Sequence, residues 1–345
     1  MRLLSGIRLV YFAVAVAVSF AAMVIGVRVG ASDLDYGRIL RIATAPLTGT
    51  MGDATVTEYT VVWKLRIPRV ALAFVAGAAL SVAGVLLQSM LNNTLVDTYT
   101  IGVAPAAAFG AAIVILISAN SVIGSGVSWM VIASAILFAF LTAALVLGIA
   151  ATKKMNAATL VLVGIALSQM FDAATSALQY RADEETLSKM VRWTFGSVNE
   201  ATWLQVAVVT TLLVITLPVI VWRSTSLNAV AFAGDDAATS LGVGVAGLRA
   251  TMIAIAVALS AVVISFTGVI GFVGLVAPHM ARLIVGADHR VLVFMSALLG
   301  GILMTLADAV GRVVLAPAVV PVGIVVAIIG GPFFVYLILA NRRSR

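Results

Sequence analysis

Cysteine is absent from all 345 residues, which excludes a disulfide framework, a thiolate metal site and a cysteine nucleophile. Charge is scarce too: Asp, Glu, Lys and Arg make up 10% of the chain against 62% hydrophobic residues. No water-soluble domain can hide that much apolar surface, so the surrounding medium is lipid. The two histidines, His279 and His289, lie far from any carboxylate cluster and make a poor metal site; His279 is expected to form hydrogen bonds at a kinked helix. None of the four lysines (Lys64, Lys153, Lys154, Lys189) follows a glycine, and no Gly-x-x-x-x-Gly-Lys-Ser/Thr loop occurs. The chain therefore cannot cradle ATP in that way, and any ATP dependence must come from a partner. No nucleophile or metal constellation of an intramembrane enzyme is present. The formal charge of +7 is scattered between apolar runs without interleaved aromatics, which argues against nucleic acid.

Apolar runs are what the chain has in abundance. A membrane helix needs about 20 mostly apolar residues, and the windows that qualify are Leu9–Val27, Pro68–Leu91, Tyr99–Ile117, Val127–Ala151, Ala157–Tyr180, Trp203–Trp222, Ala250–Thr267, Val269–Val285, Val291–Val310 and Val322–Ala340. The predicted fold class is all-α: a polytopic transmembrane protein of about ten helices, with residues 1–345 forming one transmembrane domain. The first run follows Arg2 and Arg8 as a signal peptide would, but it is long and has no obvious cleavage site before Asp33, so it reads as a retained helix. An even helix count places both termini on one side. Basic residues split equally between the two sides. Lys153-Lys154 in a short loop and the Asn341-Arg-Arg-Ser-Arg345 tail favour cytoplasmic termini, which makes segment 30–65 external and 223–249 cytoplasmic.

Polar residues inside the apolar runs are the functional signal. Gln169, Asp172, Ser176 and Gln179 recur at spacings of three and four and share one helix face. An ionisable Asp172 at membrane depth marks either a pathway or partner contact, or a single interhelical hydrogen bond. Ser81, Gln88 and Asn92 make a second polar face, and together the two predict a polar-lined passage. Arg66, Arg69 and Arg312 flank apolar runs and read by themselves as interfacial anchors, with Arg312 one helical turn from Asp308 and able to pair with it. Small residues at Gly77, Ser81 and Gly84, and at Gly268, Gly271 and Gly274, predict close helix packing.

Several segments then align in order with a known family. They are Arg66-Ile-Pro-Arg69, Gln88 with Asn93-Thr-Leu95, Trp193-Thr-Phe-Gly-Ser197, Gly234-Asp-Asp-Ala-Ala-Thr-Ser-Leu-Gly242, Gly268-Val-Ile-Gly-Phe-Val-Gly-Leu-Val-Ala-Pro-His-Met-Ala-Arg282, Gly286-Ala-Asp-His-Arg290, Ala307-Asp-Ala-Val-Gly-Arg312 and Pro321-Val-Gly323. From Arg66 to the C-terminus the chain resembles the FecCD-type, or type II, ABC importer permeases for iron-siderophores, haem and cobalamin.

The resemblance implies a ten-helix permease, in a prokaryotic cell membrane, working as a dimer with both termini cytoplasmic. Its implied partners are two cytoplasmic ATPase subunits, which carry the ATP and Mg, and an external substrate-binding protein; no cofactor is implied in this chain. Arg66, Arg69 and Arg312 would meet acidic residues on the binding protein. Gly234, Asp235, Asp236, Leu241 and Gly242 would belong to a coupling helix seated in the ATPase. Ser81, Gln88, Asn92, Asn93, Leu95, Asn156, Gln169, Asp172, Ser176 and Gln179 would border the translocation path. A ferric siderophore is the first-choice cargo, ahead of haem and cobalamin. The chain departs from the family pattern at Asn92-Asn-Thr-Leu-Val-Asp-Thr98, where the family has Arg-Asn-Pro-Leu-Ala-Asp-Pro, and at Val319, where glutamate is common. The rival of another class is an ion-coupled secondary transporter working through Asp172 and Asp308.

Overall fold

The computed structural model describes residues 6–30, 35–48, 55–119, 126–152 and 157–341, and all regular structure among them is helical. In chain order the helices are α1 (Gly6–Arg28), α2 (Tyr36–Thr48), α3 (Val56–Thr60), α4 (Ile67–Met90), α5 (Val103–Ser118), α6 (Gly126–Thr152) and α7 (Ala157–Arg181). They continue as α8 (Glu184–Thr194), α9 (Trp203–Trp222), α10 (Ser224–Ser240), α11 (Val245–Thr267), α12 (Val273–Val285), α13 (His289–Gly311) and α14 (Val322–Asn341). A π-helical turn, Val61–Arg66, joins α3 to α4. Seven helices are long and apolar enough to cross a membrane, and three shorter apolar ones, α5, α12 and α14, bring the set to the ten that hydropathy predicts. The chain is a multi-pass membrane protein.

α4 is the hub. Nearly every residue from Pro68 to Met90 is buried, as expected of a helix that is apolar all round. It packs on α13, α11, α12 and α9. Between helices in lipid the gain comes from close backbone approach more than from hiding apolar side chains, and two glycines supply it. A Cβ on Gly77 would run into the carbonyl of Gly300, and one on Gly84 into the carbonyl of Gly274. Of the second predicted packing set, Gly274 lies against Leu80, whereas Gly271 faces open space. Gly271 falls instead within a break, residues 268–272, between α11 and α12.

α5 and α12, with 16 and 13 residues, span about 24 and 20 Å at 1.5 Å per residue, short of the roughly 30 Å apolar core. Irregular chain therefore fills the missing depth ahead of each. Ser168 and Asp172, near the middle of α7, bond to the carbonyl and the hydroxyl of Tyr99 in the segment that precedes α5. Such backbone persists at membrane depth only where protein buries it or water wets it. Here Asp97 accepts hydrogen bonds from the Tyr99 and Thr100 amides at 3.0 and 3.1 Å.

Candidate functional site

Three groups of polar side chains stand out, and the first lies where α1 ends beside α4 and α13. The last carbonyls of α1 have no intrahelical donor, and arginines supply the bonds. Arg66 Nη1 donates to the Val27 and Arg28 carbonyls at 3.2 Å each. Arg312 donates to the Gly26 carbonyl at 2.7 Å and to the Val29 carbonyl. Positive charge at a helix C-terminus also opposes the helix dipole. Arg69 grips the buried Asp308 carboxylate through Nε and Nη2, and Arg312 pairs with the same carboxylate at 3.0 Å. The expected Arg312–Asp308 pair is thus present. These arginines are not freely projecting charges: Arg66 is buried, and the Arg69 and Arg312 side chains are 14% and 6% exposed. All three line one cavity of about 760 Å³, together with Asn199 and with Val319, a departure from the family pattern. The described lining holds no carboxylate.

The two polar faces expected to form a passage point in different directions. Ser81 is fully buried, and Gln88 is buried between Arg282, whose Nη1 donates to its Oε1 at 2.6 Å, and the Gly274 carbonyl, to which it donates at 3.2 Å. Gln88 thus knits α4 to α12 within the protomer, as a polar group in a packed apolar helix must find its bond there, whereas Ser81 packs against Gly300 of α13. Asn92, with φ of 45°, Asn93, which accepts from the Leu95 amide at 2.9 Å, and the exposed Leu95 shape the turn after α4. Asn156 lies outside the described residues.

α7 behaves otherwise. It packs on α5 and α6 through Leu160, Gly164, Ser168 and Thr175. Gln169 and Ser176 are exposed and Asp172 and Gln179 half-buried along one edge of its open face. The Tyr99 hydroxyl donates to Asp172 Oδ2 at 3.0 Å.

The third group lies at the opposite end of α4. At Gly234 the backbone turns to φ 81°, ψ 174°, which breaks α10 in two; glycine adopts that conformation without a Cβ penalty. The second half, from Asp235, buries Ala238 and is tied down by Arg249. Arg249 is 2% exposed, donates through Nε to the Met90 carbonyl at 2.7 Å and through Nη2 to Asp235 at 2.9 and 3.1 Å. Asp236 and Leu241 are left exposed, Leu241 at 73%, and Gly242 follows with φ of 83°.

Beside it, His289 joins Ser89 of α4 to Asn228 of α10, and Asn228 donates to Asp288 at 2.7 Å. His289, and not His279, is the hydrogen-bonded histidine among the described residues. Sequence reasoning passed over Arg249, Asn228 and Tyr99. A buried-arginine signal was present, since Arg249 opens an apolar run that a snorkelling residue would not need to enter.

A profile of the FecCD transport family matches residues 14–340. The chain belongs to the FecCD transport family. It is 37% identical over 291 residues to the cobalamin import system permease protein BtuC of Halobacterium salinarum, covering 84% of this chain and 76% of that one. It is 34% identical over 287 residues to the hemin transport system permease protein HmuU of Yersinia pestis, covering 82% and 85%. A solved metal-chelate type ABC transporter in an inward-facing conformation matches with a TM-score of 0.80 at 30% identity, covering 94% of this chain and 97% of its own. This FecCD-family chain is therefore an ABC importer permease subunit, a transport protein and not an enzyme.

Proposed function

We propose that two copies of this permease form the membrane pore of a prokaryotic importer for an iron chelate, with a ferric siderophore ahead of haem or cobalamin. An external substrate-binding protein delivers the cargo, and two cytoplasmic ATPases, holding ATP and Mg, drive it through. Both termini lie in the cytoplasm. The passage runs along the open α7 faces, lined by Gln169, Asp172, Ser176 and Gln179. The observation that carries this reading is the broken α10, whose second half offers Asp236 and Leu241 outward while Arg249 ties it to the end of α4. Such a segment suits a partner that pushes on it, and an ion-coupled carrier has no use for it.

Docking of the binding protein is assigned to the cavity that Arg66, Arg69 and Arg312 line. An acidic side chain reaching in would meet three guanidinium groups largely removed from water, where charge pairs couple by about 1.5–7 kcal/mol.

The test is reconstitution in liposomes with and without an ATPase and a binding protein, using labelled ferric siderophore, haem and cobalamin in turn. ATP-dependent uptake that disappears with Leu241→Glu, in a dimer that still forms, is the expected result. Uptake driven by an ion gradient without the ATPase would refute the proposal. Docking is probed from the partner's side, by charge reversal of acidic residues on the binding protein, because the three arginines also hold α1 and Asp308 in place. Raised salt should weaken that complex as well.

A further inference from the structure

The open face of α7 carries one charge at membrane depth and no base. Asp172 is half-buried there, its Oδ2 accepts from the Tyr99 hydroxyl at 3.0 Å, and it forms no salt bridge among the described residues. The only basic residue of α7 is Arg181, at its last position. Tyr99 also faces a cavity of about 480 Å³ between the irregular segments ahead of α5 and α12 and the start of α14. Its lining includes Asp97, Phe195 and Phe272 but no Lys, Arg or His. Asp97 is occupied in bonding the amides of its own turn. Four arginines packed among the membrane helices are committed elsewhere: Arg69 and Arg312 to Asp308, Arg249 to Asp235, and Arg282 to Gln88.

From this we infer that Asp172 is a charge filter: it lets neutral or cationic chelates pass and holds back anionic ones. The inference rests on the reading of α7 as the passage wall. It narrows the cargo class towards chelates such as ferric hydroxamates or corrinoids, and away from iron catecholates, citrates and haem with its propionates. A unit charge about 6 Å away changes the local concentration of a univalent ion by about 3-fold in bulk water and about 100-fold at an effective dielectric near 20. A wet passage between protein walls lies between those limits, and twofold symmetry would place a second Asp172 across from the first.

The absence of cysteine makes a direct test available without knowing the cargo. Ser176→Cys is introduced alone into the full-length permease in membrane vesicles. It is then treated with two methanethiosulfonates of matched size, one bearing a trimethylammonium group and one a sulfonate. Rates are divided by those of the same reagents with a small free thiol. The cationic reagent should be favoured by about tenfold or more; adding Asp172→Asn should bring the ratio close to one, Asp172→Lys should invert it, and Asp172→Glu should preserve it.

Glu184→Cys, on the exposed α8, reports that each variant is inserted and folded. Equal normalised rates at Ser176→Cys, or a preference that survives Asp172→Asn, overturn the filter and leave the passage intact. No reaction with either reagent, while Glu184→Cys reacts, overturns the passage and the filter with it.

Discussion

Arg69 and Asp308, 239 residues apart in sequence, meet through side-chain hydrogen bonds of 2.7, 2.9 and 3.1 Å. A fork of this kind matches a carboxylate at two points, and it fastens the first turn of α4 to the last turn of α13. Asp308 is only 2% exposed and is shared with Arg312, so removing the carboxylate strands two largely buried guanidinium groups, at a cost of about 3–5 kcal/mol. Asp308→Ala should therefore lower the thermal stability of the detergent-solubilised protein sharply. Asp308→Ala combined with Arg69→Leu should recover part of that loss. Equal melting temperatures for wild type and Asp308→Ala would show that the pair contributes nothing.

Arg249 serves two acceptors at once, the Met90 carbonyl through Nε and Asp235 through Nη2. Lysine carries the same charge without the planar fork. Arg249→Lys should keep insertion and dimerisation but lose one of the two bonds, worth about 1–3 kcal/mol with a charged group involved. In the reconstituted importer the expected effect is less cargo moved per ATP hydrolysed. Unchanged coupling would mean that α10 needs no tether to α4.

Packing of α4 on α12 depends on the missing side chain at Gly84. A Cβ there would overlap the Gly274 backbone, and neither helix can retreat without opening the core. Gly84→Val should abolish a monodisperse, folded protein, whereas Gly271→Ala, with nothing within 4 Å of the added carbon, should be recovered normally. Size-exclusion profiles of the two variants decide the matter.

Hydropathy was enough to locate the seven long apolar helices and the three shorter ones among the described residues, because span length and composition are properties of short windows. The half-length of α12 was not visible that way. Val269–Phe272 are as apolar as a helix, and only the positive φ of Gly268 and Phe272 reveals the break. The α7 stripe was legible from spacing alone, since α7 keeps one face open. The α4 stripe differs: Ser81 and Gln88 are enclosed by α12 and α13 within the protomer, and periodicity cannot tell an enclosed face from an open one. Arg66, Arg69 and Arg312 stood out by their place beside apolar runs, yet the bonds of Arg66 and Arg312 to the end of α1 depend on long-range contacts that no local pattern encodes.

Those bonds also set a chronology for biogenesis. α1 leaves the ribosome well before α13, but the carbonyl of Gly26 finds its donor in Arg312, 286 residues later. Val27 and Arg28 are served sooner, by Arg66. Until α13 is made, the end of α1 is therefore only half capped, and contacts so distant in sequence form slowly. α1 is made long before it is fully secured, so the nascent permease must wait with that helix loosely held.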